Sequence, residues 1–211
     1  MDQAQTEKEL LDLSNDIAAC RKCDESGIRV LHAPPMTRGA ISPIMVIGIE
    51  PGKNELKTAI AFSGPAGKRL KGWLKQVGLG DGDDEIFART YFTSLCKCNN
   101  KKSSTIAKAA RNCFPFLQRQ INLIRPRLVL TLGIEPISQL FDFSGKLDDI
   151  VGKAYFEHDL LTTFLPIFPE STQIVPLPHP SPLSRWLNDE VNQLRLENAL
   201  SEVKTILADW E

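Results

Sequence analysis

The placement of the cysteines constrains this chain more than any other feature. Cys20 and Cys23 form a Cys-x-x-Cys pair near the N-terminus, and Cys98 and Cys113 flank a basic stretch at mid-chain. A site built from both groups ties the start of the chain to its centre. Four soft sulphur ligands suit either an iron–sulphur cluster or a structural zinc, and the sulphurs alone do not separate the two. Taken by themselves they favour zinc. Cys96 lies two residues before Cys98 on an expected strand, so its side chain should face the other way and read as a core cysteine. The N-terminus is acidic and polar and no apolar run is long enough to cross a bilayer. Without an export signal, the cysteines argue against a disulfide framework and for a cytoplasmic protein with no membrane partner.

Hydrophobic patterning gives the fold class. Short apolar runs at 43–49, 90–96, 127–132 and 173–177 read as strands buried on both faces. Between them lie helical patterns at 67–77, at 104–124 with Pro115 a break or first-turn residue, and at 136–141. A helix at 6–19 opens the chain, with Leu10, Leu11, Leu13 and Ile17 as its stripe. A helix at 189–208 closes it, with Val191, Leu194, Leu200, Val203 and Leu207 on one side, and 152–157 reads as a hairpin arm. Alternating strands and helices predict a single α/β domain spanning 1–211, its central, mostly parallel four-stranded sheet flanked by helices. Ligands of such sheets bind beyond the carboxyl ends of the strands. The loops after Ile49, Cys96 and Leu177 are therefore the ones to examine.

Charge is balanced overall, with 25 Lys+Arg against 26 Asp+Glu, but unevenly spread. Residues 86–134 hold Arg89, Lys97, Lys101, Lys102, Lys108, Arg111, Arg119, Arg125 and Arg127 and no acid. A neutral protein can present one basic face in this way, although charge alone also describes an ordinary solvated surface.

The three loops carry a family resemblance. Gly48-Ile49-Glu50-Pro51-Gly52 followed by Phe62-Ser63-Gly64-Pro65-Ala66-Gly67 resembles, without a gap, the paired first motif of uracil-DNA glycosylases of the iron–sulphur class, family 4. Thr93-Ser94-Leu95-Cys96-Lys97-Cys98 is similar to that family's Thr-Asn-Val-Val-Lys-Cys strand. Cys113-Phe114-Pro115-Phe116-Leu117 with Gln120-Ile121 is similar to its Cys-containing helix. Val129-Leu130-Thr131-Leu132-Gly133 resembles its third strand, and His179-Pro180-Ser181 its second active-site motif. The likeness runs from about Leu10 to about Leu200.

The resemblance implies a uracil-DNA glycosylase-like fold, a DNA partner and a monomer that hydrolyses the N-glycosidic bond of an everted base. It implies a [4Fe–4S] cluster on Cys20, Cys23, Cys98 and Cys113, with zinc as the alternative. The cluster would press Lys101, Lys102, Lys108 and Arg111 against phosphates. His179 would donate to the departing base, Phe62 would stack on it, and Gly48, Ile49 and Ser94 would line its pocket. Glu55, and after it Glu50, would position water. Ser181 would hold phosphate or cap a turn. Leu183, or the neighbouring Arg185 and Trp186, would fill the gap in the stack, with core packing equally open to Trp186.

This chain departs from the family at two places. Ile49 stands where the family's first motif has glutamate, and Ser94 where members carry the asparagine that reads uracil. A serine offers one short hydroxyl where an asparagine amide offers both donor and acceptor. The pocket is therefore expected to be wider and less committed to uracil. Three readings follow: removal of uracil or another deaminated base; removal of a hypermodified base, such as glucosylated hydroxymethylcytosine in phage DNA; or a non-catalytic DNA-binding iron–sulphur module. A P-loop nucleotide-binding protein is disfavoured, because 48–52 lacks the phosphate-cradling glycines and the Lys-Ser/Thr that follows them.

Overall fold

The structure is a computed structural model that describes residues 2–36, 38–141, 143–160 and 167–210. The chain opens with α1 (Gln3–Ala19), capped by the Asp2 side chain, and the short α2 (Lys22–Glu25) that carries Cys23. The strands are β1 (Val30–Leu31), β2 (Ile44–Gly48), β3 (Tyr91–Ser94), β4 (Asn99–Asn100), β5 (Leu128–Leu132), β6 (Tyr155–Phe156) and β7 (Gln173–Leu177). The remaining helices are α3 (Lys53–Thr58), α4 (Pro65–Gln76), α5 (Asp83–Arg89), α6 (Ile106–Ile124), α7 (Ile134–Phe141), α8 (Glu157–Leu160) and α9 (Glu190–Ala208).

The main sheet has five strands in the order β3-β2-β5-β7-β6, against the four expected. The first four are parallel, and β6 adds an antiparallel edge from the stretch read as a hairpin arm. The arm was legible, but two residues are too few to show an alternating pattern, so its place in the main sheet was not. A separate two-stranded ribbon pairs β1 with β4 beside the cysteines.

Side chains alternate across the sheet and divide the core in two. Ile44 and Val46 of β2 join Leu70, Trp73 and Leu74 of α4 and Leu196, Ala199, Leu200 and Val203 of α9. Met45 and Ile47 face the other way, onto Ala109, Leu117 and Ile121 of α6 and Ile137 and Phe141 of α7. Strands buried on both faces read as continuous apolar runs, which is why these elements were visible.

Three helical expectations need correction. Pro115 lies inside α6 and does not end it. Proline removes one backbone donor, but the buried face of Ala109, Ala110, Cys113, Leu117, Gln120 and Ile121 outweighs that local loss. In α9 the core face is Leu196, Ala199, Leu200, Val203 and Ile206, while Val191 and Leu194 stand exposed. At about 100° per residue, position 191 falls half a turn away from position 200. Leu11 likewise faces solvent, while Leu13 and Ile17 are buried.

Candidate active site

Parallel pairing brings the carboxyl ends of β2, β3, β5 and β7 to one edge of the sheet, and a cavity of about 130 Å³ opens there. It is smaller than the roughly 300 Å³ or more of a drug-sized pocket, which is the scale of a single flat ring system. Its walls include Arg38, Gly48, Ile49, Glu50, Glu55, Phe62, Thr93, Ser94, Leu132 and His179. Every residue expected to catalyse or to bind the base is thus gathered in one place.

Phe62 is set by its neighbours' lack of side chains. Its backbone adopts φ 53°, which a non-glycine residue holds at a cost of about 1–3 kcal/mol. A Cβ on Gly67 would sit 1.8 Å from the Phe62 carbonyl oxygen, and one on Gly48 would meet the Phe62 ring at 3.1 Å. The two glycines let the aromatic ring lie over the end of β2. Behind it, Phe92 supports the ring at a centroid distance of 5.3 Å.

The two candidate acids have different engagements. Glu55, on α3, accepts a hydrogen bond from the Gly64 backbone at 2.8 Å and so fixes the loop that carries Phe62 to the start of α4. Its other carboxylate oxygen is the closest atom to the Gly52 Cβ position. Glu50 accepts from Asn99 Nδ2 at 3.1 Å, Asn100 N at 2.8 Å and Asn100 Nδ2 at 2.7 Å. Burial pushes its carboxyl above the usual range, and the Asn100 bonds oppose that shift. Glu50 thereby braces β4, next to Cys98.

His179 follows β7. The backbone N–H of Ser181 donates to its Nδ1 at 3.2 Å, which leaves the ring proton on Nε2. Burial lowers its basicity, with Glu135 opposing, so the ring is held toward its neutral form. A neutral imidazole with a fixed Nε2–H is a donor suited to charge building on a departing group. The Ser181 hydroxyl accepts from the Leu183 backbone at 3.2 Å, the turn-capping alternative, and Arg69 of α4 holds the Ser181 carbonyl at 3.1 Å. Leu183 projects into solvent with 90% of its surface exposed. Arg185 is also exposed, whereas Trp186 packs on the core and bonds Asp148 at 2.5 Å.

Ser94 lines the cavity, but its hydroxyl donates to the Cys96 carbonyl at 2.8 Å, leaving only its lone pairs to a ligand. Cys96 is buried as expected, although it lies past the end of β3 and its thiol is directed to the Ile106 carbonyl.

The four other cysteines are neighbours. Cys20 adds charge repulsion to Cys23, Cys20 and Cys23 add it to Cys98, and Cys23 and Cys98 add it to Cys113. Burial is the larger cause and pushes Cys113 up to about 11. The Lys97 backbone N–H points at Cys113 Sγ (3.4 Å), and His32 Nδ1 lies 3.6 Å from Cys98 Sγ. Among the described residues, no three His, Cys, Asp or Glu side chains meet the geometry for holding a metal ion. Lys101, Lys102, Lys108 and Arg111 are all exposed on the segment between Cys98 and Cys113.

The family model of the uracil DNA glycosylase superfamily matches residues 38–204. The chain belongs to this superfamily. It is 31% identical over 150 residues to a Type-4 uracil-DNA glycosylase of Sulfurisphaera tokodaii, covering 68% of this chain and 64% of that protein. It is 29% identical over 189 residues to the Type-4 enzyme of Saccharolobus solfataricus, covering 87% and 83%. With that of Archaeoglobus fulgidus the identity is 30% over 150 residues, covering 68% and 71%.

Sequence reasoning missed two cations of this superfamily member. Arg38 lines the cavity with its Nε sealed from solvent and without a hydrogen-bond partner. Lys97, counted with the surface bases, is 1% exposed and donates to Thr93 Oγ1, the Ser94 carbonyl and Gln120 Oε1 at 2.6–2.8 Å. Its position between Cys96 and Cys98, on a buried strand end, was the available signal. Arg38 stands in a segment without periodicity and gave none.

Proposed function

We propose that this chain is a DNA glycosylase that hydrolyses the N-glycosidic bond of uracil or another altered base everted from DNA. The observation that carries the reading is the convergence of His179, Phe62 and Glu55 on one cavity of base-like scale at the strand ends. Phe62 stacks on the extruded ring, and the Nε2–H of His179 donates to the base as negative charge builds there. Glu55 positions the water that meets the sugar cation. Glu50 is assigned a bracing role, because its oxygens are occupied by Asn99 and Asn100. Leu183 fills the space left in the stack. The Type-4 relatives support uracil as a substrate, and a cavity complete within one chain supports a monomer. No described helix is long and apolar enough to cross a membrane, and a cytoplasmic site of action fits the five free thiols.

Cys20, Cys23, Cys98 and Cys113 fit a [4Fe–4S] cluster by the chemistry of the donor set: four neighbouring thiols, with a backbone N–H directed at one sulphur. When bound, the cluster supplies a thiolate cross-link between the N-terminal segment and the basic loop. Iron, sulphide and zinc analysis of the purified protein decides between the metals.

Duplexes carrying a single uracil, hypoxanthine or xanthine test the activity. Alkali-labile sites that form with the native chain and vanish in His179→Ala support the reading. Intact DNA binding without abasic sites on any substrate rejects it. Ser94→Asn should shift preference toward uracil.

A further inference from the structure

The base cavity holds a cation that neither the excision mechanism nor the fold uses. Arg38 precedes β2, and its carbonyl accepts from Phe92 N at 2.6 Å, so its backbone is fixed to the end strand of the sheet. Its side chain forms part of the cavity wall, and it also borders a groove on the far side lined by Leu10, Tyr91 and Gln120. No described acid pairs with it. Glu50 is taken by Asn99 and Asn100, Glu55 bonds Gly64, and Glu7, on the groove side, bonds Gln3. An arginine keeps its charge in proteins, and a buried polar group without a partner costs about 1–3 kcal/mol. A guanidinium on the cavity wall, its Nε sealed from solvent and without a partner and no described carboxylate paired with it, is an arrangement that an anionic ligand completes.

The geometry points to Arg38 as a specificity-determining residue whose guanidinium takes a negatively charged edge of the everted base. This rests on the glycosylase reading and narrows its substrate class. The site favours a base that is anionic near neutral pH over a neutral base of the same ring. That charge has two sources: a dicarbonyl ring that loses its own proton, as xanthine does, or an exocyclic carboxylate, as in 5-carboxyuracil. The carboxylate presents two adjacent oxygens, and the xanthine anion presents a carbonyl oxygen beside its deprotonated ring nitrogen; either acceptor pair suits the planar fork of an arginine. Ser94 does not compete for this role, because its proton is given to Cys96.

The test compares kcat/KM within each protein for two pairs of duplexes, xanthine against hypoxanthine and 5-carboxyuracil against uracil. The native chain should favour the charged member of at least one pair by about tenfold or more. The pair that responds identifies the source of the charge. Arg38→Gln should bring that ratio close to one, and Arg38→Lys should leave it intermediate. A ratio taken within one protein cancels a general loss of folding. If Arg38→Gln does not fold, calorimetric titration of the native chain with free xanthine and free hypoxanthine decides the matter, tighter binding of xanthine being required. Ratios near one for both pairs in the native chain, or a preference that survives Arg38→Gln, overturn the inference while excision of uracil upholds the glycosylase reading. Absence of abasic sites on every duplex, uracil included, rejects the glycosylase reading itself, and tighter calorimetric binding of xanthine would still sustain the role of Arg38.

Discussion

The backbone N–H of Ser181 donates to Nδ1 of His179 at 3.2 Å, so the turn that follows β7 fixes which ring nitrogen carries the proton. Protonation of Nδ1 would break that bond and place a charge in a buried site. Burial accordingly holds His179 below the usual histidine value of 6.5, with Glu135 pulling the other way. Single-turnover excision should be flat with respect to this group above about pH 6.5 and should fall on the acid side as the folded-state value is passed. Stability follows the same direction. From about 6.5 downward the unfolded chain binds a proton that the folded chain resists, so acid costs stability there, and the contribution is fully present above that window. In His179→Ala the acid limb should vanish from whatever activity remains. An unchanged limb would assign it to another group.

Glu55 has two separable tasks. Its carboxylate accepts the Gly64 backbone bond, which an amide oxygen also accepts, and it supplies a negative charge, which an amide does not. Glu55→Gln should therefore keep the native unfolding temperature and lose about 10²-fold in kcat. Glu55→Ala should lose both, with about 1 kcal/mol or more from the broken bond. Equal activity of Glu55→Gln and the native chain would remove Glu55 from the water-positioning role.

Gly67 is a packing requirement for the site. Adding one methyl would put a carbon 1.8 Å from the Phe62 carbonyl oxygen, which is backbone and cannot rotate away. Gly67→Ala must shift the Phe62 loop or the start of α4, at a cost of about 1–3 kcal/mol. Thermal unfolding and excision should both suffer. Gly72, whose Cβ position is open on the same helix, is the control, and Gly72→Ala should be neutral or slightly stabilising.

What the sequence disclosed, and what it hid, follows from how each residue is held. The parallel strands were legible because burial on both faces removes polar residues from them, and the meeting of His179, Phe62 and Glu55 at one cavity was legible because local motifs at the strand ends carry them. The arm that forms β6 was legible, but its pairing with β7 at the sheet edge was not, because two residues show no period. The α9 face was misassigned because Val191 and Leu194 are apolar yet exposed, and composition does not report orientation. The bonds that engage Glu50 were not legible, because its partners, Asn99 and Asn100, lie half a hundred residues away and meet it only in three dimensions. Arg38 was missed for the same reason, since nothing local marks a cation whose surroundings lack an acid.

Those Asn partners make Glu50 a test of how the cavity and the cysteines communicate. Its carboxylate accepts three hydrogen bonds from β4, immediately after Cys98. Glu50→Gln keeps one acceptor oxygen but sets an amide donor against asparagine donors, which costs about 1–3 kcal/mol. The expected result is a lower unfolding temperature and faster loss of bound metal to a chelator, with a smaller change in kcat than Glu55→Gln gives. A kcat loss with metal retention and stability unchanged would restore Glu50 to the chemistry.

The basic loop makes a prediction that depends on which cations are free to meet phosphate. Lys101, Lys102 and Arg111 are exposed and lie between Cys98 and Cys113. Arg119, further along α6, is paired with Asp16 at 2.8 Å. Each phosphate contact adds about 0.9 to the slope of log affinity against log salt on duplex DNA. Lys101→Ala, Lys102→Ala and Arg111→Ala should each weaken binding regardless of sequence and reduce that slope by roughly one. Arg119→Ala should leave it unchanged, because its charge is matched within the protein. Fluorescence anisotropy over a series of salt concentrations, on a duplex without any altered base, gives the slopes. If they stay unaltered in all three loop variants, DNA lies elsewhere, and the cysteine site braces a surface that serves another purpose.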